Sequence, residues 1–287
     1  MKLTLITCAV VAALALTGCE ESNTSAPVEK NNSQAVEKNV AAKPQSQQNI
    51  SSLYLQASQT LFKQRAPEAT MFGLTSEDVG KEFNNQLPDF SPENEANLRQ
   101  QLANLSEQIS SYQLSQTTNT AIDNQQVMAG ISQYFAGHKD FPIGYIDAWM
   151  GLSPFIVNQI NGPLIDVPRI MQNDQPITTE QEAVYYISRL GKFDQMLASI
   201  EEKLTFDSKQ DWFPPKSTVT GAIRYLKGFT NSAPKAHVFV TNFSDKVHKI
   251  ASLTPQQKQQ LIDQAIDKVT QVVYPAYQSM TKTTEQL

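Results

Sequence analysis

Residues 91–112 read SPENEANLRQQLANLSEQISSY. Leu98, Leu102, Leu105, Ile109 and Tyr112 recur in this stretch at steps of four, three, four and three, which puts them on one stripe of a 3.6-residue helix. Ser91 suits the N-cap, Pro92 the first helical position, and Glu93 and Glu95 the positive end of the helix dipole. The same grammar repeats further on. Thr179 with Glu182 has the form of a capping box and opens a second long helix through Ile187, Leu190, Phe193, Leu197, Ile200 and Leu204. After the Pro214-Pro215 break come Val219, Ile223, Leu226 and Phe229, then a run with Phe239, Phe243, Val247 and Ile250. Thr254-Pro255 with Gln257 forms a second capping box ahead of Leu261, Ala265, Ile266, Val269 and Val273. Helices around Leu53–Lys63 and Ile122–Ala136 complete the set, and no run of alternating strands with hairpin turns competes. The expected fold is all-α, a multi-helix array over residues 51–287.

One region departs from this grammar. Between Phe141 and Met171, Pro142, Gly144, Gly151, Pro154, Gly162, Pro163 and Pro168 punctuate apolar residues such as Trp149, Phe155, Ile156 and Ile160. These predict an ordered central loop with short helical pieces, packed under something, because such side chains do not rest in water. Long ordered loops are often functional; a packed crossover between helical layers is the alternative. Within it, Phe155, Asn158, Gln159 and Asn161 are the candidate ligand contacts. Side-chain amides can donate to and accept from a peptide backbone, and Phe155 supplies apolar area. The competing reading is a loop fixed by its own hydrogen bonds.

The amino terminus supplies an address. Lys2 precedes an uncharged apolar run, Leu3–Leu16, shorter than the roughly 20 residues a spanning helix needs and laid out like a cleaved export signal. The run ends Leu16-Thr17-Gly18-Cys19, a lipobox pattern. Residues 1–18 are therefore expected to be a signal peptide and Cys19 the lipidated residue, with acyl chains contributing roughly 0.8 kcal/mol per buried methylene. Glu20, rather than aspartate, follows the cysteine, which favours the bacterial outer membrane, facing the periplasm. Residues 19–50 carry no apolar period and read as the lipidated cysteine and a disordered linker.

Composition narrows the chemistry. Cys8 and Cys19 are the only cysteines; one leaves with the signal and the other is lipidated, which removes disulfides and thiolate chemistry from the mature chain. The net charge of -5 becomes -6 when Lys2 is lost, and with no basic block this argues against nucleic acid as a partner. His138, His237 and His248 are the only histidines. Were His237 and His248 to share a helix, they would stand about 16 Å apart along it, too far to ligate one ion. No H-E-x-x-H motif is present, so no metal site and no catalytic residue is assigned. S-x-x-K occurs at Ser232–Lys235 and Ser279–Lys282 without the companion elements of penicillin-interacting serines. Asp147, Asp166, Glu201 and Glu202 could do acid–base work only if buried together, and both glutamates fall off the apolar stripe. The chain reaches Leu287 through Tyr274-Pro275-Ala276-Tyr277 without a glycine cap or a return segment, an ending that reads like the middle of something.

Several segments together resemble a known family. They are Ala66-Pro67-Glu68-Ala69-Thr70 with Gly73, the central run Pro154–Pro163, Tyr186-Ile187-Ser188-Arg189-Leu190, Pro214-Pro215-Lys216 and Tyr274-Pro275-Ala276-Tyr277. In order and spacing they resemble the bacterial exported proteins grouped as domain of unknown function 885, over essentially everything after the linker. The resemblance implies a large helical protein similar to zinc metallopeptidases, in which two histidines and a carboxylate hold zinc and a glutamate activates its water. Those positions lie in the second half of longer members, and this chain resembles the first half. It implies no cofactor for residues 51–287, zinc being expected only in the missing carboxy-terminal half. The partners it implies are a membrane through Cys19, and a peptide substrate or a separate carboxy-terminal half. A non-catalytic helical lipoprotein that binds peptides or an envelope partner is the competing expectation.

Overall fold

The computed structural model describes residues 49–287; the expected signal peptide, Cys19 and the linker as far as residue 48 lie outside the described residues. Asn49 caps the first helix, α1 (Ile50–Gln64), its side chain accepting from Ser51 N at 3.2 Å. Two short helices follow, α2 (Ala66–Met71) and α3 (Ser76–Val79). Helix α4 (Pro92–Ser111) starts where the sequence places it, with Ser91 Oγ accepting from Asn94 N and Pro92 in the first turn. Its stripe Leu98, Leu102, Leu105 and Ile109 is buried, while Tyr112 falls just beyond the helix. Helix α5 (Asn119–Ala136) packs back along α4, Ser106 Oγ donating to Ala129 O at 2.8 Å.

After the central segment come α6 (Pro163–Asn173), α7 (Glu180–Leu190), α8 (Phe193–Ser208), α9 (Lys216–Phe229) and α10 (Val238–His248). The chain continues through α11 (Pro255–Lys268), a π-helical turn (Val269–Val273) and α12 (Tyr274–Thr284). Both predicted capping boxes form, Thr179 with Glu182 and Thr254 with Gln257. The π turn sits just ahead of Pro275, whose ring cannot accept a normal α-helical carbonyl behind it and which has no N–H to donate. Widening the preceding turn lets the chain pass the proline without stopping.

Helices α6 to α12 share the largest core, which includes Val167, Tyr186, Leu190, Phe193, Phe239, Phe243 and Tyr277. Phe193, Phe239 and Phe243 are fully buried, each worth about 1.5–3 kcal/mol relative to exposure. Two phenols end in this core on backbone carbonyls, Tyr186 on Phe239 O and Tyr277 on Leu164 O, both at 2.9 Å. A second core joins α1, α2 and α4 to the central segment through Leu61, Phe62, Phe83, Leu98, Leu102 and Ile146.

Four details differ from the sequence reading. The long helix expected from Thr179 through Leu204 is two, α7 and α8, parted at Gly191 and Lys192. The central region holds a two-stranded antiparallel hairpin, β1 (Tyr145–Asp147) with β2 (Gly151–Ser153), in the register Tyr145 opposite Ser153 and Asp147 opposite Gly151. Each strand is too short to print an alternating pattern. Pro163–Asn173 is a regular helix despite Pro168, whereas the sequence suggested only helical pieces. Ile250 lies beyond the end of α10, and His237 precedes that helix as its N-cap instead of sharing it with His248.

Candidate functional site

The central segment is held in place by charges that the helices bury. Arg65, between α1 and α2, is fully buried and ion-paired with Glu95 of α4. Arg65 Nε donates to Ile146 O at 2.8 Å and Glu95 Oε2 accepts from Ile146 N at 2.9 Å, so the pair clamps both backbone groups of one β1 residue. The Arg65 guanidinium also lies 4.6 Å from the centre of the Phe90 ring. On α8, Lys203 pairs with Asp207 one turn on. Lys203 Nζ donates to Pro142 O at 3.2 Å and Asp207 accepts from Gly144 N at 3.2 Å. Arg99 of α4 holds the same loop from the other side, donating to Phe141 O at 2.8 Å and Ile143 O at 2.9 Å. Gly144 is required there: its φ is +72° and a Cβ would stand 2.2 Å from Ser153 O.

Asp147 shapes the hairpin turn. Its Oδ1 accepts from Trp149 N at 2.8 Å and Met150 N at 2.9 Å, and its Oδ2 from the Tyr145 hydroxyl at 3.1 Å. Asp166, in the first turn of α6, accepts from Gly162 N at 2.6 Å and pairs with Arg169 at 2.9 Å. Burial raises its pKa, while the Gly162 N–H and Arg169 oppose the rise. Both aspartates act electrostatically on Glu68 of α2, a buried carboxyl whose Oε2 has no hydrogen-bond partner among the described residues. Burial is the main cause that lifts Glu68 to about 7; Arg65 draws it down and the two aspartates push it up. Arg189 of α7 lies within the same electrostatic reach and is fully buried. Its guanidinium holds Gln86 O, Gln175 Oε1, Ala66 O, Thr70 Oγ1 and Phe83 O at 2.9–3.2 Å, tying α7 to α2 and the segment before α4.

The candidate ligand contacts are placed as follows. Phe155 stacks on Trp212 with ring centres 5.6 Å apart, Phe141 meets the other edge of Trp212, and Trp212 Nε1 donates to Pro154 O at 2.8 Å. Asn158 Oδ1 accepts from Gln159 N at 2.6 Å and Ile160 N at 3.1 Å, closing a local turn. The Gln159 side chain lies on the α9 backbone, since a Cβ on Gly221 would come 2.0 Å from its Oε1. Asn161 is half-buried just ahead of α6. Phe155 and Asn158 thus share one loop, with Gln159 turned towards α9.

Among the carboxylates, Asp147 and Asp166 each act electrostatically on Glu68, while Glu202 lies exposed on α8. Reading the sequence missed Arg65, Glu68, Glu95, Arg189 and the Lys203–Asp207 pair. A signal existed for some of them. Glu95 stands three residues before Leu98 on the apolar stripe, and Lys203 with Asp207 continues the stripe of Ile200 and Leu204 at helical spacing.

The histidines do not converge. His138 is exposed beside Asp140, His237 Nδ1 accepts from Phe239 N at 3.2 Å, and His248 Nδ1 meets Ser244. Among the described residues no group of three or more His, Cys, Asp or Glu side chains is arranged to hold a metal ion. A zinc centre therefore does not fit residues 49–287. Of the serine candidates, Ser232 Oγ lies 3.1 Å from the Tyr274 hydroxyl, and Lys235 is exposed.

A family model described as bacterial protein of unknown function (DUF885) matches residues 67–287. The chain belongs to the DUF885 family. Every helix from α4 to α12, the hairpin and the buried charges other than Arg65 lie within the match, so the clamped central segment is part of the DUF885 domain. The fold is similar to the crystal structure of the "putative lipoprotein from Colwellia psychrerythraea", with 58% identity and a TM-score of 0.81. The similarity covers 83% of this chain and 41% of the Colwellia chain, so this DUF885 chain spans less than half the length of that protein. No curated protein matches it.

Proposed function

We propose that this chain is a lipid-anchored protein of the bacterial cell envelope, tethered through Cys19 to the outer membrane and facing the periplasm. In this reading it forms the amino-terminal, non-metal-binding part of a hydrolase resembling zinc peptidases and is catalytically silent alone. The observation that carries the reading is the match to 41% of a longer protein named as a lipoprotein, taken with a donor set in residues 49–287 that does not suit zinc. The lipobox Leu16-Thr17-Gly18-Cys19 supports the anchor. The role of these residues is then to build one wall of a substrate cleft, with the clamped central segment as its rigid part.

The test is to read the source DNA through and beyond the codon for Leu287, and to express whatever reading frame follows together with this chain. A frame carrying a histidine–glutamate zinc motif, with zinc-dependent peptide hydrolysis only in the joined protein, is the expected result. A stop with no such frame would overturn the hydrolase reading and leave a non-catalytic binding lipoprotein. That second reading draws on an exposed apolar surface at the hairpin turn, where Trp149, Met150 and Tyr134 of α5 are all more than half exposed.

A further inference from the structure

Helices α6 and α9 and the start of α10 line an open cleft of about 600 Å³. Arg169 and Gln172 line it from α6, one turn apart, and Arg224, Tyr225 and Phe229 from α9, with Ser232 and His237 beyond that helix. Two features mark it as built for a ligand. Arg224 has no carboxylate partner among the described residues, so its charge faces the cleft unneutralised, while Arg169 is only partly engaged by Asp166. Gly228 faces open space on the same side of α9: a Cβ there would meet nothing within 4 Å. An ordinary side chain would fit the helix at that position and fill the cleft.

We propose that this cleft binds the carboxy-terminal carboxylate of a short peptide whose last side chain is apolar. Guanidinium forks match a carboxylate in two parallel hydrogen bonds. The Gln172 amide is able to donate and accept at once, as a peptide group requires. Tyr225 and Phe229 supply apolar surface beside the charges, and the volume lies within the range of small-ligand sites. The Asp166 carboxylate nearby is covered by Arg169 and the Gly162 N–H and so offers little repulsion. The inference concerns binding by side chains of this chain alone and does not depend on the hydrolase reading.

The full chain is titrated calorimetrically with N-acetyl-alanyl-alanyl-phenylalanine and with its carboxamide, and inorganic phosphate is added as competitor. The acid is expected to bind at least about 10-fold more tightly than the amide, in line with one or two charge-assisted hydrogen bonds. Arg224→Gln should weaken the acid by about 10-fold. Gly228→Leu should abolish binding while leaving the melting temperature at or above the parent's, since leucine is the better helix former. Equal binding of acid and amide overturns the proposal, as does absence of binding, or parental affinity in both variants. Equal competition by phosphate at the peptide's own concentration would show a general anion site and overturn the peptide assignment.

Discussion

Replacing Glu68 by glutamine removes a buried charge with an orphan oxygen, and the effect should depend on pH in a defined way. Below about pH 4.5 the carboxyl is protonated in both the folded and the unfolded chain and contributes no difference. As pH rises from 4.5 towards 7, the unfolded chain releases the proton while the folded chain keeps it, so stability falls with pH. Above 7 both states are ionised and the loss is complete. A displacement from 4.5 to about 7 corresponds to about 3 kcal/mol at about 1.36 kcal/mol per pH unit. Glu68→Gln should therefore match the parent near pH 4 and exceed it by about 3 kcal/mol at pH 8, or about 6–12 °C in melting temperature for a domain of this size. Thermal unfolding followed by circular dichroism at both pH values, reported as variant minus parent, isolates Glu68 from every other titrating group. A difference of the same size and sign at the two pH values would refute the argument, because it would show packing, not ionisation, at work.

Further expectations follow from other parts of the site. Lys203→Met strands the Asp207 carboxylate beside Gly144 and should cost about 3–5 kcal/mol by urea unfolding, with Lys203→Met/Asp207→Leu recovering much of it. Gly144→Ala should destabilise clearly more than Gly73→Ala. Both have positive φ, but a Cβ at 144 strikes Ser153 O, whereas one at 73 meets nothing within 4 Å. Asn158→Ala should lower stability by about 1–2 kcal/mol through its two lost backbone hydrogen bonds. If peptide affinity fell instead at unchanged melting temperature, Asn158 would be a ligand contact. Cys19→Ser should move the chain from the membrane to the soluble fraction of the cell envelope; a variant still sedimenting with membranes would contradict the lipid anchor.

The helices were legible because their signals are local. Ser91-Pro92, Thr179 with Glu182 and Thr254 with Gln257 each specify a start within four residues, and the stripes of α4 and α8 need no distant partner to be recognised. The clamp on Ile146 was not legible. Arg65 and Glu95 stand 30 positions apart, and a charged residue declares itself buried only when its partner is known. The hairpin escaped for the opposite reason: three residues per strand are too few for a period, and its turn depends on a side-chain cap from Asp147 in place of a standard glycine pair. His237 as an N-cap could not be anticipated either, because histidine is not among the residues that usually serve there. In the candidate loop, the turn that Asn158 closes is local, but the neighbours Trp212 and Gly221 come from distant parts of the chain.

The clamp on Ile146 bears on how another polypeptide can approach. In a two-stranded ribbon the outward edge of each strand normally offers free N–H and C=O groups, a template on which an extended segment can add itself as a further strand. At Ile146, the middle of β1, both groups are already taken by Glu95 and Arg65. The outward edge of β1 is thus closed to strand addition, so whatever docks against that edge must be recognised through side chains, not backbone.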